Sequence, residues 1–182
     1  MKKILLIVGL ALFVALMAAA AALYNSLSGE TPPLHIEAPE NDTRVKAPDF
    51  TTLDAEGNNV LFSDYIGKPI VLNFWASWCP PCKEEMPDFN KVYEEMGSEI
   101  TFVMVDLVDG MRETKEKGEK YVAEQGFTFP VYYDIKGEAG RVYGVSSIPT
   151  TIFIDKEGYI ITGVRGMIDE GVLREAIQMV ND

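Results

Sequence analysis

Residues 70–87 read IVLNFWASWCPPCKEEMP, and the order of chemistry within them decides the fold. Ile70–Ala76 is a nearly continuous apolar run, the pattern of a strand buried on both faces. From Pro80 to Met96 the spacing predicts a helix, because Met86, Phe89, Val92, Tyr93 and Met96 fall on one side of it. Cys79 and Cys82, the only cysteines of the chain, stand where strand becomes helix.

Three uses of such a pair compete. A structural clasp would close a loop of about four residues and gain only roughly 2 kcal/mol from the unfolded state. A structural zinc site needs four Cys or His ligands, and the single histidine, His35, lies far away in a polar stretch. No methionine cluster suggests copper, and no metal or cofactor is expected. A redox pair fits its surroundings better. Free N–H groups and the dipole at a helix start favour a negative sulfur, so Cys79 is expected to be the thiolate nucleophile. Cys82, one turn into the helix, suits the resolving role. Pro80 and Pro81 fit a first turn, where a missing N–H is not needed.

Around this centre the chain alternates strands and helices. Strands are predicted at 49–53 and 60–62 around a turn at 54–58, then at 100–107 and 129–133. Helices are predicted at 113–125, closed by Gly126, and at 137–143. A hairpin pairs 150–155 with 159–164. A last helix covers 170–180, with Asp169 as N-cap. The result is an α/β domain with a mixed sheet, residues 47–182.

The N-terminus has another character. Lys2 and Lys3 precede twenty uncharged residues, Ile4 to Leu23, about the length that crosses a bilayer. Residues 1–23 are therefore expected to be a transmembrane anchor, or a signal sequence cut at its alanines. Basic residues only before the span place the domain outside the cytoplasm. Residues 24–46 are polar and proline-bearing and read as a flexible tether. Net charge is −12, with 28 acidic against 16 basic residues. That leaves no basic footprint for nucleic acid.

The segment Val71–Cys82, with Lys83 and Pro87 after it and Ser147–Thr151 (SIPTT) much later, resembles the thioredoxin superfamily. The likeness runs from about Ala47 to the C-terminus and implies a thioredoxin-like fold, a central mixed β-sheet flanked by helices. The stretch CPPCKEEMP, the segment SIPTTIFIDKEG and the N-terminal apolar run are similar to the TlpA/ResA type of membrane-anchored, extracytoplasmic thiol–disulfide oxidoreductase. An extra αβ segment around Tyr121–Tyr133 is similar to the insertion such proteins carry.

That resemblance implies several roles. Pro149 would be a cis-proline whose preceding residue, Ile148, pairs with an extended substrate, and Trp78 would shape the docking surface. Trp75 is expected to pack in the core. Thioredoxins carry a buried aspartate where this chain has Asn73, and asparagine is no general base. In the TlpA/ResA type a helix glutamate takes that place, which falls on Glu85. Three residues after Cys82, Glu85 shares its helical face, whereas Glu84 points to solvent. The resemblance further implies a Cys79–Cys82 disulfide cycle and an electron donor in the membrane of CcdA or DsbD type. Partner disulfides in apocytochrome c or in methionine sulfoxide reductase are also implied. A disulfide-donating oxidase and a non-catalytic binding module are the alternatives, since Pro-Pro between the cysteines does not set the direction of electron flow. A peroxidase of the peroxiredoxin kind would carry threonine at Ala76.

Overall fold

The computed structural model describes residues 44–181. The predicted apolar N-terminal span and nearly all of the tether, His35 included, lie outside them. All six residues of the central strand β4 (Ile70–Trp75; the other strands are numbered in chain order) are buried. It runs parallel to β5 (Thr101–Asp106), with Trp75 beside Asp106, and antiparallel to β7 (Thr150–Ile154), with Asn73 beside Thr151. Outward on one side come β6 (Val131–Tyr133), β2 (Thr51–Leu53) and β3 (Asn59–Leu61). On the other come β8 (Tyr159–Arg165) and β1 (Val45–Lys46). The mixed sheet has the order β1-β8-β7-β4-β5-β6-β2-β3.

Successive residues of β4 face opposite ways. Val71 and Trp75 join Met86, Phe89, Leu173 and Ile177 on one face. Leu72 and Phe74 join Phe62, Val105, Tyr132 and Ile154 on the other. A strand buried twice needs helices on both sides, and these are α1 (Pro80–Met96), α2 (Lys115–Gln125), α3 (Glu138–Val142) and α4 (Glu170–Asn181). Replacing a core residue such as Phe89 by alanine would cost about 3–5 kcal/mol.

Helix α1 starts on Cys79, holds Pro80 and Pro81 in its first turn, and continues through Pro87. It buries Cys82, Glu85, Met86, Phe89 and Val92, while Tyr93 and Met96 of the expected stripe are partly buried against the same core. Helix α4 is capped as predicted, with Asp169 Oδ1 accepting from Val172 N at 2.9 Å. Asp88 of α1 accepts from Glu170 N at 3.0 Å and ties the two helices together.

Several boundaries differ from expectation: β2 and β6 each begin two residues later than predicted, and three other differences have a visible cause. The sheet begins at Val45, inside the expected tether, because Val45 and Lys46 find partners in Ile160 and Tyr159. Phe62 does not extend a strand. It opens a short 3-10 turn, Phe62–Tyr65, held where Asp49 Oδ1 accepts from Ser63 N. Helix α2 starts two residues later than predicted, capped by Thr114, because Glu113 is used elsewhere.

Candidate active site

Cys79 and Cys82 are joined by a disulfide, with their Cα atoms 5.3 Å apart. Cys79 is the N-cap of α1, and its sulfur accepts from Cys82 N at 3.3 Å. The helix start therefore aims an N–H at this sulfur, an arrangement that stabilises a thiolate there. Both sulfurs are almost wholly covered, but Cys79 borders a cavity of about 440 Å³ that Trp78, Pro81, Leu107, Arg112 and Ile148 also line.

The loop before β7 closes the other side. The Ile148–Pro149 peptide bond is cis, and the Ile148 carbonyl lies 3.7 Å from Cys79 Sγ. Trp78 is exposed on the cavity rim with the Arg112 guanidinium 4.0 Å above its ring, while Trp75 is fully buried in the core.

Beneath the pair sits Glu85, only 1% exposed, one turn along α1 from Cys82. Its Oε1 accepts from Asn73 Nδ2 at 2.8 Å and its Oε2 from Ile168 N at 3.1 Å. Asn73 also donates to Thr151 Oγ1 at 3.0 Å. Burial pushes the Glu85 carboxyl up to about 7, against the lowering effect of the bonds from Ile168 and Asn73. Such a group holds or gives up a proton near neutrality. Glu84 is exposed.

The structure thus brings Trp78, Cys79, Cys82, Glu85, Ile148 and Pro149 to one end of the sheet. It adds residues that sequence reasoning missed. Ile168 contributes a backbone N–H, which carries no sequence signal. Ser77 and Glu113 meet beside the cysteine turn. Asp106 ends β5 fully buried, and neither of its oxygens has a hydrogen-bond partner. A charged residue closing the apolar run ITFVMVDL was the available signal for it. No cluster of three or more His, Cys, Asp or Glu residues suited to a metal occurs among the described residues.

Comparisons with known proteins identify relatives by sequence and by fold. Residues 43–162 match the AhpC/TSA family. Over 137 residues the chain is 36% identical to the thiol-disulfide oxidoreductase ResA of Geobacillus thermodenitrificans, covering 74% of this chain and 75% of that protein. The crystal structure of StoA from Bacillus subtilis superposes with a TM-score of 0.62 at 30% identity, covering 71% of this chain and 96% of that one. A thiol:disulfide interchange protein of the thioredoxin family from Chlorobium tepidum gives 0.67 at 25% identity, covering 76% and 97%.

Proposed function

This chain belongs to the AhpC/TSA family, as a thiol–disulfide oxidoreductase with the thioredoxin-like fold, and from that premise we propose that it reduces disulfides of partner proteins outside the cytoplasm. The observation that carries the reading is the placement of Cys79. It is a helix N-cap sulfur that accepts an N–H bond, borders an open cavity, and has a buried carboxyl near neutrality behind its partner cysteine.

In the proposed cycle the Cys79 thiolate attacks one sulfur of a partner disulfide. A mixed disulfide forms and the other partner sulfur leaves as a thiolate. Cys82 gives its proton to Glu85 and attacks Cys79, which frees the second partner thiolate and leaves Cys79–Cys82 oxidised. Two electrons have passed to the partner. A membrane electron carrier of CcdA or DsbD type restores the dithiol. Apocytochrome c cysteines, or a methionine sulfoxide reductase, are the proposed partners. Ile148 and Trp78 are proposed to hold the partner segment against Cys79, with Pro149 shaping the Ile148 turn. The two lysines before the apolar run support an extracytoplasmic domain.

The test is to express Cys82→Ser in the source cells and identify what is trapped on Cys79. An apocytochrome or a reductase held as a mixed disulfide supports the reading. Insulin reduction with dithiothreitol should fall to background in Cys79→Ser, and equal activity of the two proteins would point to a binding module instead. A reduction potential near about −120 mV rather than about −270 mV would reverse the assignment to a disulfide donor.

A further inference from the structure

The turn that presents Cys79 is gripped by the loop that joins β5 to α2. Within that loop Asp109 Oδ1 accepts from Met111 N at 2.8 Å and from Glu113 N at 2.9 Å, and Gly110 N donates to the Glu113 carbonyl at 2.9 Å. Gly110 takes a positive φ of 74°, which suits glycine. The folded-back loop turns the Glu113 side chain inward until it is fully buried. There Oε2 accepts from Ser77 N at 2.7 Å, and the Ser77 hydroxyl donates to the same carboxylate at 2.8 Å and 2.9 Å. Ser77 lies inside the turn closed by Cys79 N donating to the Ala76 carbonyl at 3.1 Å. The loop residue before Glu113, Arg112, covers Trp78. Ser77 and Trp78, the two residues before the nucleophile, are therefore both held by this loop.

Burying a carboxylate is costly unless it is hydrogen-bonded. Glu113 receives its bonds from the turn, whereas its neighbour Asp106 receives none. Burial first, and then the charges of Glu113 and Asp109, push Asp106 up to about 9. Its surroundings therefore favour the neutral form of Asp106, while the Glu113 carboxylate takes the donors that the turn offers. Other charged groups near the turn are Asp109 and Arg112 of the loop, Lys83 and Glu85 of α1, and Lys117 of α2, whose ammonium donates to the Met111 and Arg112 carbonyls at 2.8 Å.

We propose that Glu113 is a positioning residue for thiol–disulfide exchange: its carboxylate, bonded to Ser77, fixes the turn that presents Cys79, and its negative charge opposes formation of the Cys79 thiolate. The helix start pulls the thiol toward ionisation, and Glu113 sets a limit on that pull. This inference rests on Cys79 being the exchanging sulfur.

Two variants separate charge from geometry. Glu113→Gln keeps an acceptor for Ser77 and removes the charge. Glu113→Asp keeps the charge and draws it back by one methylene. In reduced full-length protein, alkylation of Cys79 by iodoacetamide is followed across pH. Glu113→Gln should lower the midpoint, so that Cys79 reacts roughly threefold faster below the wild-type midpoint, about half a pKa unit. Glu113→Asp should leave the midpoint near wild type but slow exchange with a small aromatic disulfide severalfold, and Ser77→Ala should slow it likewise. A folded Glu113→Gln protein with an unchanged or raised midpoint overturns the electrostatic part. Wild-type exchange rates in both Glu113→Asp and Ser77→Ala overturn the positioning part. If Glu113→Gln does not fold, Glu113→Asp and Ser77→Ala still decide the positioning. Because alkylation needs no partner protein, failure to reduce partner disulfides would count against the proposed function and leave this test readable.

Discussion

At Glu85 the choice between neutral and charged carboxyl is made by exclusion of water. Burial raises it to about 7 from an ordinary 4.5, so the folded state keeps a proton that the unfolded chain has released. Between those values the unfolded state binds fewer protons, and stability falls as pH rises. The full benefit is present below pH 4.5 and is gone above about 7, a loss of about 3 kcal/mol. Denaturation of Glu85→Gln should lack that decline. The same variant should lose the step near neutrality in the pH–rate curve of disulfide exchange, and an unchanged curve would remove Glu85 from proton transfer. The face of Glu85 was legible in the sequence, because helical spacing puts it with Cys82. Its hydrogen bonds were not, since Asn73 and the Ile168 N–H reach it from 12 and 83 residues away.

At the scale of elements, the meeting of α2 with β5 is set by one small residue. A Cβ placed on Gly118 would stand 2.1 Å from Asp106 Oδ2 and 3.4 Å from the Tyr133 ring. Both neighbours belong to buried strand ends, so the helix must shift. Gly118→Ala should destabilise the domain by about 1–3 kcal/mol, measured by urea denaturation, and Asp106→Ala in the same chain should restore part of the loss. Equal destabilisation in the presence and absence of Asp106 would show that the contact is not the cause. Helix α1 was readable almost to the residue, because prolines, cysteines and an apolar stripe all agree on its start. The start of α2 was not. Glu113 reads as one more acidic residue at the head of a charged helix, and only the return of the chain past Ser77 gives it a separate task.

Over the whole molecule, the N-terminal segment differs in composition from the redox domain. The apolar run from Ile4 to Leu23 predicts that the full-length chain sediments with membranes and needs detergent for release. A chain beginning at Arg44 should stay in the soluble fraction and retain insulin reduction. External protease acting on spheroplasts should digest the domain, and protection would place it inside the cytoplasm instead. The sequence by itself determined the α/β class, the strand–turn–helix that carries Cys79 and Cys82, and the face on which Glu85 lies. Those features are local, written in periodicity, proline placement and cysteine spacing over fewer than twenty residues. The tertiary structure alone decided how Ile148 meets Cys79, which groups bond Glu85, and that Glu113 holds the active-site turn. These contacts join positions 12 to 83 residues apart. Sheet register and loop closure create them, and no short stretch of sequence encodes either.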